Sequence, residues 1–174
     1  MEPRKPSRKL ARLAALREDA LRLRASSPDT PPEELAALAD EPDPGVRACV
    51  ACNPAAPESL LHALLEREPE LVGSSLVARA SLSTSLLAAL TRHPETEVRR
   101  LLVWNHPLPD ALLERLAGDV ALEVRQAVAR RTALPSALVE RLARDPAADV
   151  RQALVAGHTV AAETCAGLCD DASE

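Results

Sequence analysis

A step of 26 residues runs through the chain and limits its fold more than any other feature. Val46, Val72, Val98, Val124 and Val150 keep that step, and so do Leu38, Leu64, Leu90, Leu116, Leu142 and Leu168. Self-similarity at a fixed period of this size marks a repeat architecture, in which one supersecondary unit recurs. The copies are 31–56, 57–82, 83–108, 109–134 and 135–160, and a truncated copy, 161–174, follows them. Positions are counted within a copy, so Pro31, Pro57, Ser83, Pro109 and Pro135 stand at position 1.

Each copy reads as two short helices. Proline at position 1 suits a first helical turn, where its missing N–H has no intrahelical partner. Leucines at positions 5 and 8, often also 4, give one apolar stripe, as in Leu60, Leu61 and Leu64 or Leu112, Leu113 and Leu116. A turn rich in Pro and acidic residues follows, such as Asp40-Glu41-Pro42-Asp43-Pro44-Gly45. The second helix starts near the Val-Arg pair and is apolar at positions 16 and 20, one turn apart: Val46/Val50, Val72/Leu76, Val98/Leu102, Val124/Val128 and Val150/Leu154. It ends at Asn53-Pro54 in the first copy, because the residue before proline resists α geometry.

A unit this small cannot bury its own stripe, and stacking copies makes a continuous core. The 174-residue chain has one Trp and neither Phe nor Tyr, which fits thin layers filled by Leu, Val and Ala. The expected fold is therefore all-α, a solenoid of five two-helix repeats with helical caps. The cap at the start is 1–30, with an amphipathic helix over 5–25, and 161–174 caps the other end.

Net charge is −5, which argues against a protein that coats nucleic acid. Residues 1–24 run the other way, with Arg4, Lys5, Arg8, Lys9, Arg12, Arg17, Arg22 and Arg24 against three acidic residues. That segment reads either as a cap whose charge offsets the acidic body or as a docking arm for an anionic partner. No stretch has the apolar length of a leader or of a membrane span, so neither is expected. Four Cys without disulfide-framework density fit a reducing cytoplasm. Nineteen Arg against two Lys suggest a GC-rich genome, hence a bacterial source.

Pro-x-x-Leu-Leu-x-x-Leu-Ala-x-Asp followed by Val-Arg-x-x-Val-Ala-x-Asn, best carried by the first, third and fourth copies, resembles the leucine-rich repeat variant family. More loosely it is similar to HEAT repeats. The resemblance covers about 31–168 and implies a right-handed, armadillo-like superhelix, in which one helix of each pair can be 3₁₀. The family's usual unit is shorter than the one here. Some members bind an iron–sulfur cluster through a Cys-rich N-terminal segment, but no Cys precedes Cys49 and that cofactor is not carried over. No cofactor is expected.

Three constellations could carry function. Arg47, Arg99, Arg125 and Arg151 recur at position 17, broken by Gly73, with Glu41, Asp119 and Asp145 six residues before three of them. In HEAT-like arrays such acid–Arg pairs tie neighbouring units, and a regular cationic row could also meet a phosphate backbone. Cys49 and Cys52 form a C-x-x-C, readable as a redox pair, as half of a metal site, or as small buried hydrophobes. Cys165 and Cys169 lie too many copies away to complete a metal site with them. His62, His93, His106 and His158 have no metal-ligand spacing, and no motif of a hydrolase or phosphate-binding loop is present.

Positions 18 and 22 of the second helix lie off its apolar stripe. They read Ala48/Cys52, Ser74/Ala78, Arg100/Trp104, Gln126/Arg130 and Gln152/Ala156. Second helices line the concave, binding face of such solenoids. Trp and Arg are the types enriched in interface hot spots. Arg100, Trp104, Gln126 and Arg130, with Arg131 beside them, are therefore the expected partner-binding residues, the alternative being that Trp104 packs locally with Arg100 stacked on it one turn away. The expected function is a non-catalytic scaffold or adaptor whose protein partner presents an acidic or mixed-polarity segment. Nucleic-acid or phosphate binding through Arg99, Arg100, Arg130 and Arg131 is the second reading, and thiol-redox or metal chemistry at Cys49 and Cys52 the third.

Overall fold

The computed structural model describes residues 8–157, and all regular structure in them is α-helical. After α1 (Arg8–Ser26) the helices come in pairs. The first pair is α2 (Pro32–Leu38) with α3 (Pro44–Cys52), the second α4 (Glu58–Arg67) with α5 (Pro69–Val77). Then follow α6 (Thr84–Leu90) with α7 (Thr96–Asn105), α8 (Asp110–Leu116) with α9 (Leu122–Ala129), and α10 (Ser136–Ala143) with α11, which spans 148–157. Both helices of each pair are α, so neither is the 3₁₀ type that the family resemblance allowed. The chain divides into two compact units, Met1–Ser81 and Leu82–Glu174. In the first, α3 packs on both α1 and α5; in the second, α7 packs on α9 and α9 on α10. Among the described residues no helix is long and apolar enough to cross a membrane. The closing half-copy 161–174, with Leu168, Cys165 and Cys169, lies outside the described residues, as does His158.

The prolines at position 1 sit one residue earlier than the sequence suggests. Pro31, Pro57, Pro109 and Pro135 are N-caps with extended ψ between 143° and 153°, not first-turn residues. Their carbonyls accept the first-turn N–H groups, as Pro109 does from Leu112 and Leu113 at 2.9 and 3.1 Å. Fixed φ suits the cap, and a residue with no side-chain acceptor still closes the turn through its backbone. Ser83 does the same job with its hydroxyl, which accepts the Leu86 N–H at 3.3 Å.

The core follows the repeat register. Position 8 (Leu38, Leu64, Leu90, Leu116, Leu142), position 16 (Val46, Val72, Val98, Val124, Val150) and position 20 (Val50, Leu76, Leu102, Val128, Leu154) are buried throughout. A Leu or Val so placed contributes about 1.5–3 kcal/mol relative to an exposed one. α1 departs from this pattern. Ala25 is fully buried, but Leu13, Leu16 and Leu23 stay exposed, because the neighbours of α1, α2 and α3, lie on one side of it.

Truncation should track this register. Leu90→Ala and Leu116→Ala are each expected to lower unfolding free energy by about 2–5 kcal/mol, and Leu23→Ala by less than about 0.5 kcal/mol, measured by urea denaturation followed by circular dichroism.

Candidate interaction site

The arginines at position 17 are structural on both sides of the guanidinium. Nη1 of Arg47 donates to the carbonyls of Glu41 and Pro42, at 2.7 and 2.9 Å. Arg99 does the same to His93 and Pro94 at 2.6 and 3.0 Å, Arg125 to Asp119 and Val120, and Arg151 to Asp145 and Pro146. The remaining edge meets a carboxylate in the next copy. Arg47 pairs with Glu68 at 2.6 Å, Arg99 with Asp119 at 2.7 and 2.9 Å, and Arg125 with Asp145 at 2.8 and 3.3 Å. The expected tie between neighbouring copies is present, but the acid six residues upstream supplies its carbonyl, not its carboxylate. The Arg99 and Asp119 side chains are each less than a tenth exposed. Burial works to raise the Asp119 carboxyl, but Arg99 and the Ala121 N–H outweigh it and hold it below its ordinary value. Arg125 lowers Asp145 in the same way.

A second ladder at position 23 escaped the sequence reading. Asn53 donates its Nδ2 back to the carbonyls of Ala25 and Ser27, at 2.7 and 2.8 Å. Arg79 reaches Ala51 and Asn53 at 2.9 and 2.7 Å, and Arg131 reaches Val103 and His106 at 2.6 and 3.1 Å. Each donor closes the C-terminal end of the helix before its own pair. In the last copy the position is Gly157, where a Cβ would stand 3.0 Å from the Arg130 carbonyl. The signal in the sequence is a shared donor at one register position, carried by different residue types.

This ladder settles part of the expected contact surface. Arg131 is held by carbonyls, and its burial pushes the guanidinium below its ordinary value. It is a helix-end brace, not an open contact. Arg100 lies against Glu97 of its own helix at 2.6 Å instead of reaching outward. Arg99 is bound to Asp119 as described, so the second reading's four arginines form no continuous open cationic surface. Gln126 is half-buried on α9.

Trp104 and Arg130 are different. Trp104 is 51% exposed, and it lies on a groove of about 440 Å³ at the C-terminal ends of α7 and α9. Arg130, Arg131, His106, Pro107 and Ala133 share that groove. Arg130 is exposed, and its guanidinium has no hydrogen-bond or ion-pair partner among the described residues. Arg100 and Gln126 do not line the groove.

The cysteines and histidines are placed without convergence. Cys49 and Cys52 are free thiols in the C-terminal half of α3, away from the helix N-terminus that favours a thiolate. Cys52 is exposed and Cys49 half-buried, so neither is the fully buried hydrophobe of the structural alternative. Among the described residues no three of His, Cys, Asp and Glu gather in a group that could hold a metal ion. His62 faces Glu58 one turn away, and the Nδ1 of His93 accepts the Glu95 N–H at 3.1 Å. The basic start of the chain behaves as a cap at three places: Arg17 meets Glu41, Arg22 meets Asp43 and Arg24 meets Glu34.

Residues 122–147 match the family model described as Leucine rich repeat variant. That match covers 26 of the 174 residues and agrees with the resemblance carried by the repeats; the family is one of HEAT-like helical repeats. The segment opens with α9 and closes one residue before α11, so it is one full period in a different phase. No curated protein and no solved structure matches the chain.

The ladder predicts a defined acid response. Asp119 and Asp145 have folded pKa values below their unfolded ones, so their stabilisation is complete above the unfolded carboxyl range. It is lost as pH falls through the folded values. Stability should be level from about pH 8 to 5 and drop below about pH 4, with a shallower drop in Arg99→Ala/Arg125→Ala. At pH 7, Arg99→Ala should cost about 3 kcal/mol, because it leaves Asp119 buried and unpaired. Denaturant titrations at each pH measure both.

Proposed function

We propose that the chain is a non-catalytic interaction module that holds a segment of a protein partner in the groove at Trp104 and Arg130. The observation that carries this reading is the placement of the one aromatic side chain. A protein that builds its core without rings sets its single indole half in solvent, beside a guanidinium with no partner among the described residues. Elsewhere at position 22 the chain uses Cys52, Ala78, Arg130 and Ala156, so core packing does not require a ring there.

The chemistry of the groove suits a mixed segment. The indole face and Pro107 offer apolar area, and Arg130 offers a charge that an Asp or Glu can meet at short range. A family whose repeats mediate protein interaction agrees with this use. A cytoplasmic setting belongs to the same reading, since it keeps Cys49 and Cys52 reduced.

Trp104 is also the only tryptophan, so its emission reports on the groove alone. A cross-linked partner from native lysate, once its bound segment is made as a peptide, should shift Trp104 emission to shorter wavelength. Trp104→Ala should weaken that peptide by about 2 kcal/mol, roughly 30-fold, and Arg130→Glu by at least about tenfold. Both variants should keep the wild-type circular dichroism. A partner bound equally well by Trp104→Ala/Arg130→Glu places the interaction elsewhere on the molecule.

A further inference from the structure

A larger cleft, of about 620 Å³, lies at the other end of α7 from Trp104. The turn after α6, the first turn of α7 and the end of α8 form it. Three of its arginines decide its charge. Arg99 is matched by Asp119 through two parallel hydrogen bonds, so that pair cancels. Arg92 and Arg115 are exposed, and their guanidinium groups have no partner among the described residues. The lining thus carries two uncompensated positive charges in a chain whose net charge is −5.

The pattern of pairing across this unit gives the two arginines weight. Arg99, Arg100, Arg125, Arg131, Arg141, Arg144 and Arg151 are each committed to a carboxylate or a carbonyl. The described arginines of the unit left over are Arg92, Arg115 and Arg130, and all three line a cleft. Arg130 belongs to the Trp104 groove. Arg92 and Arg115 share the other.

Two guanidinium forks call for an acceptor with several oxygens, since each can give parallel hydrogen bonds to an oxyanion. Thr96, at the start of the ten-residue α7, adds a hydroxyl and lies at the positive end of the helix dipole. The cleft is much larger than a bare phosphate. Beside the arginines it presents Pro94 and Val120, the latter 94% exposed, as an apolar wall. We propose that this cleft binds a small organic phosphate monoester, with its phosphate oxygens on Arg92 and Arg115 and its organic part against Pro94 and Val120. The site is separate from the Trp104 groove, and neither reading depends on the other.

Phenyl phosphate is the probe, because it joins a monoester dianion to a small apolar body. The readout is the arginine Nε–Hε resonances of the full chain in ¹⁵N-correlated NMR, titrated at a constant ionic strength of about 150 mM. The Arg92 and Arg115 signals should shift saturably and the Arg130 signal should not. Affinity should fall at least about tenfold in Arg92→Gln/Arg115→Gln and stay unchanged in Arg130→Gln. Both arginines are exposed, so circular dichroism and Tm of the variants should match wild type. Equal affinity for benzoate, equal affinity in Arg92→Gln/Arg115→Gln, or no saturation would overturn the site. Equal affinity for inorganic phosphate would overturn the part of the proposal that places an organic body on Pro94 and Val120.

Discussion

A helix of seven residues is nearly all end. Its first four N–H groups and last four carbonyls have no partner within it, so α2, α6 and α8 cannot satisfy their own backbone. Everything else in this fold follows from how those groups are closed. At the N-terminal ends, proline carbonyls and the Ser83 hydroxyl take the first-turn donors. At the turns and C-terminal ends, arginine does most of the work. One guanidinium at position 17 covers two carbonyls of its own copy with Nη1 and a carboxylate of the next copy with Nε and Nη2. Lysine cannot do this, because its ammonium is a single point with no planar fork. Nineteen Arg against two Lys therefore has a structural reason beside the genomic one that composition alone suggests.

The register of the core was legible in the sequence because burial repeats by residue type. Leu at position 8 and Val at position 16 face the interior in every copy. The polar ties were less legible because they repeat by function. Position 23 reads Asn53, Arg79, Asn105, Arg131 and Gly157, and of these Asn53, Arg79 and Arg131 share only the ability to donate backward to carbonyls 25–28 residues earlier. At position 17 the residue is Arg in every full copy but the second, which has Gly73, yet the acid six residues upstream is not the ion-pair partner. The helix that follows carries Arg99 away from the side chain six residues back but not from that residue's carbonyl. The carboxylate in reach is Asp119, twenty residues on. Asp119 and Asp145 also accept the N–H two residues ahead, at 2.9 Å, so one side chain closes its own turn and holds the preceding copy's arginine.

One rung shows that these two duties can be separated. At position 17 of the second copy stands Gly73, and at position 11 of the third stands His93. His93 keeps the local duty, since its Nδ1 accepts the Glu95 N–H as an aspartate oxygen would.

In an array this regular, a binding surface is most visible where the pattern is broken without a structural return. Arg131 breaks no pattern, because its place in the backward ladder explains it. Arg100 sits on the exposed stripe, but Glu97 accounts for its charge. Trp104 is not explained in this way. A ring at position 22 fills no core space and leaves half its surface in water, where three of the other copies manage with Cys52, Ala78 and Ala156. The same logic applies to charge. Where seven of the ten described guanidinium groups of the second unit close a helix end or meet a carboxylate, an exposed arginine with no partner gives up an available stabilisation. That such arginines line clefts ties the surplus charge to concave surface, where an acceptor held on two sides can meet it.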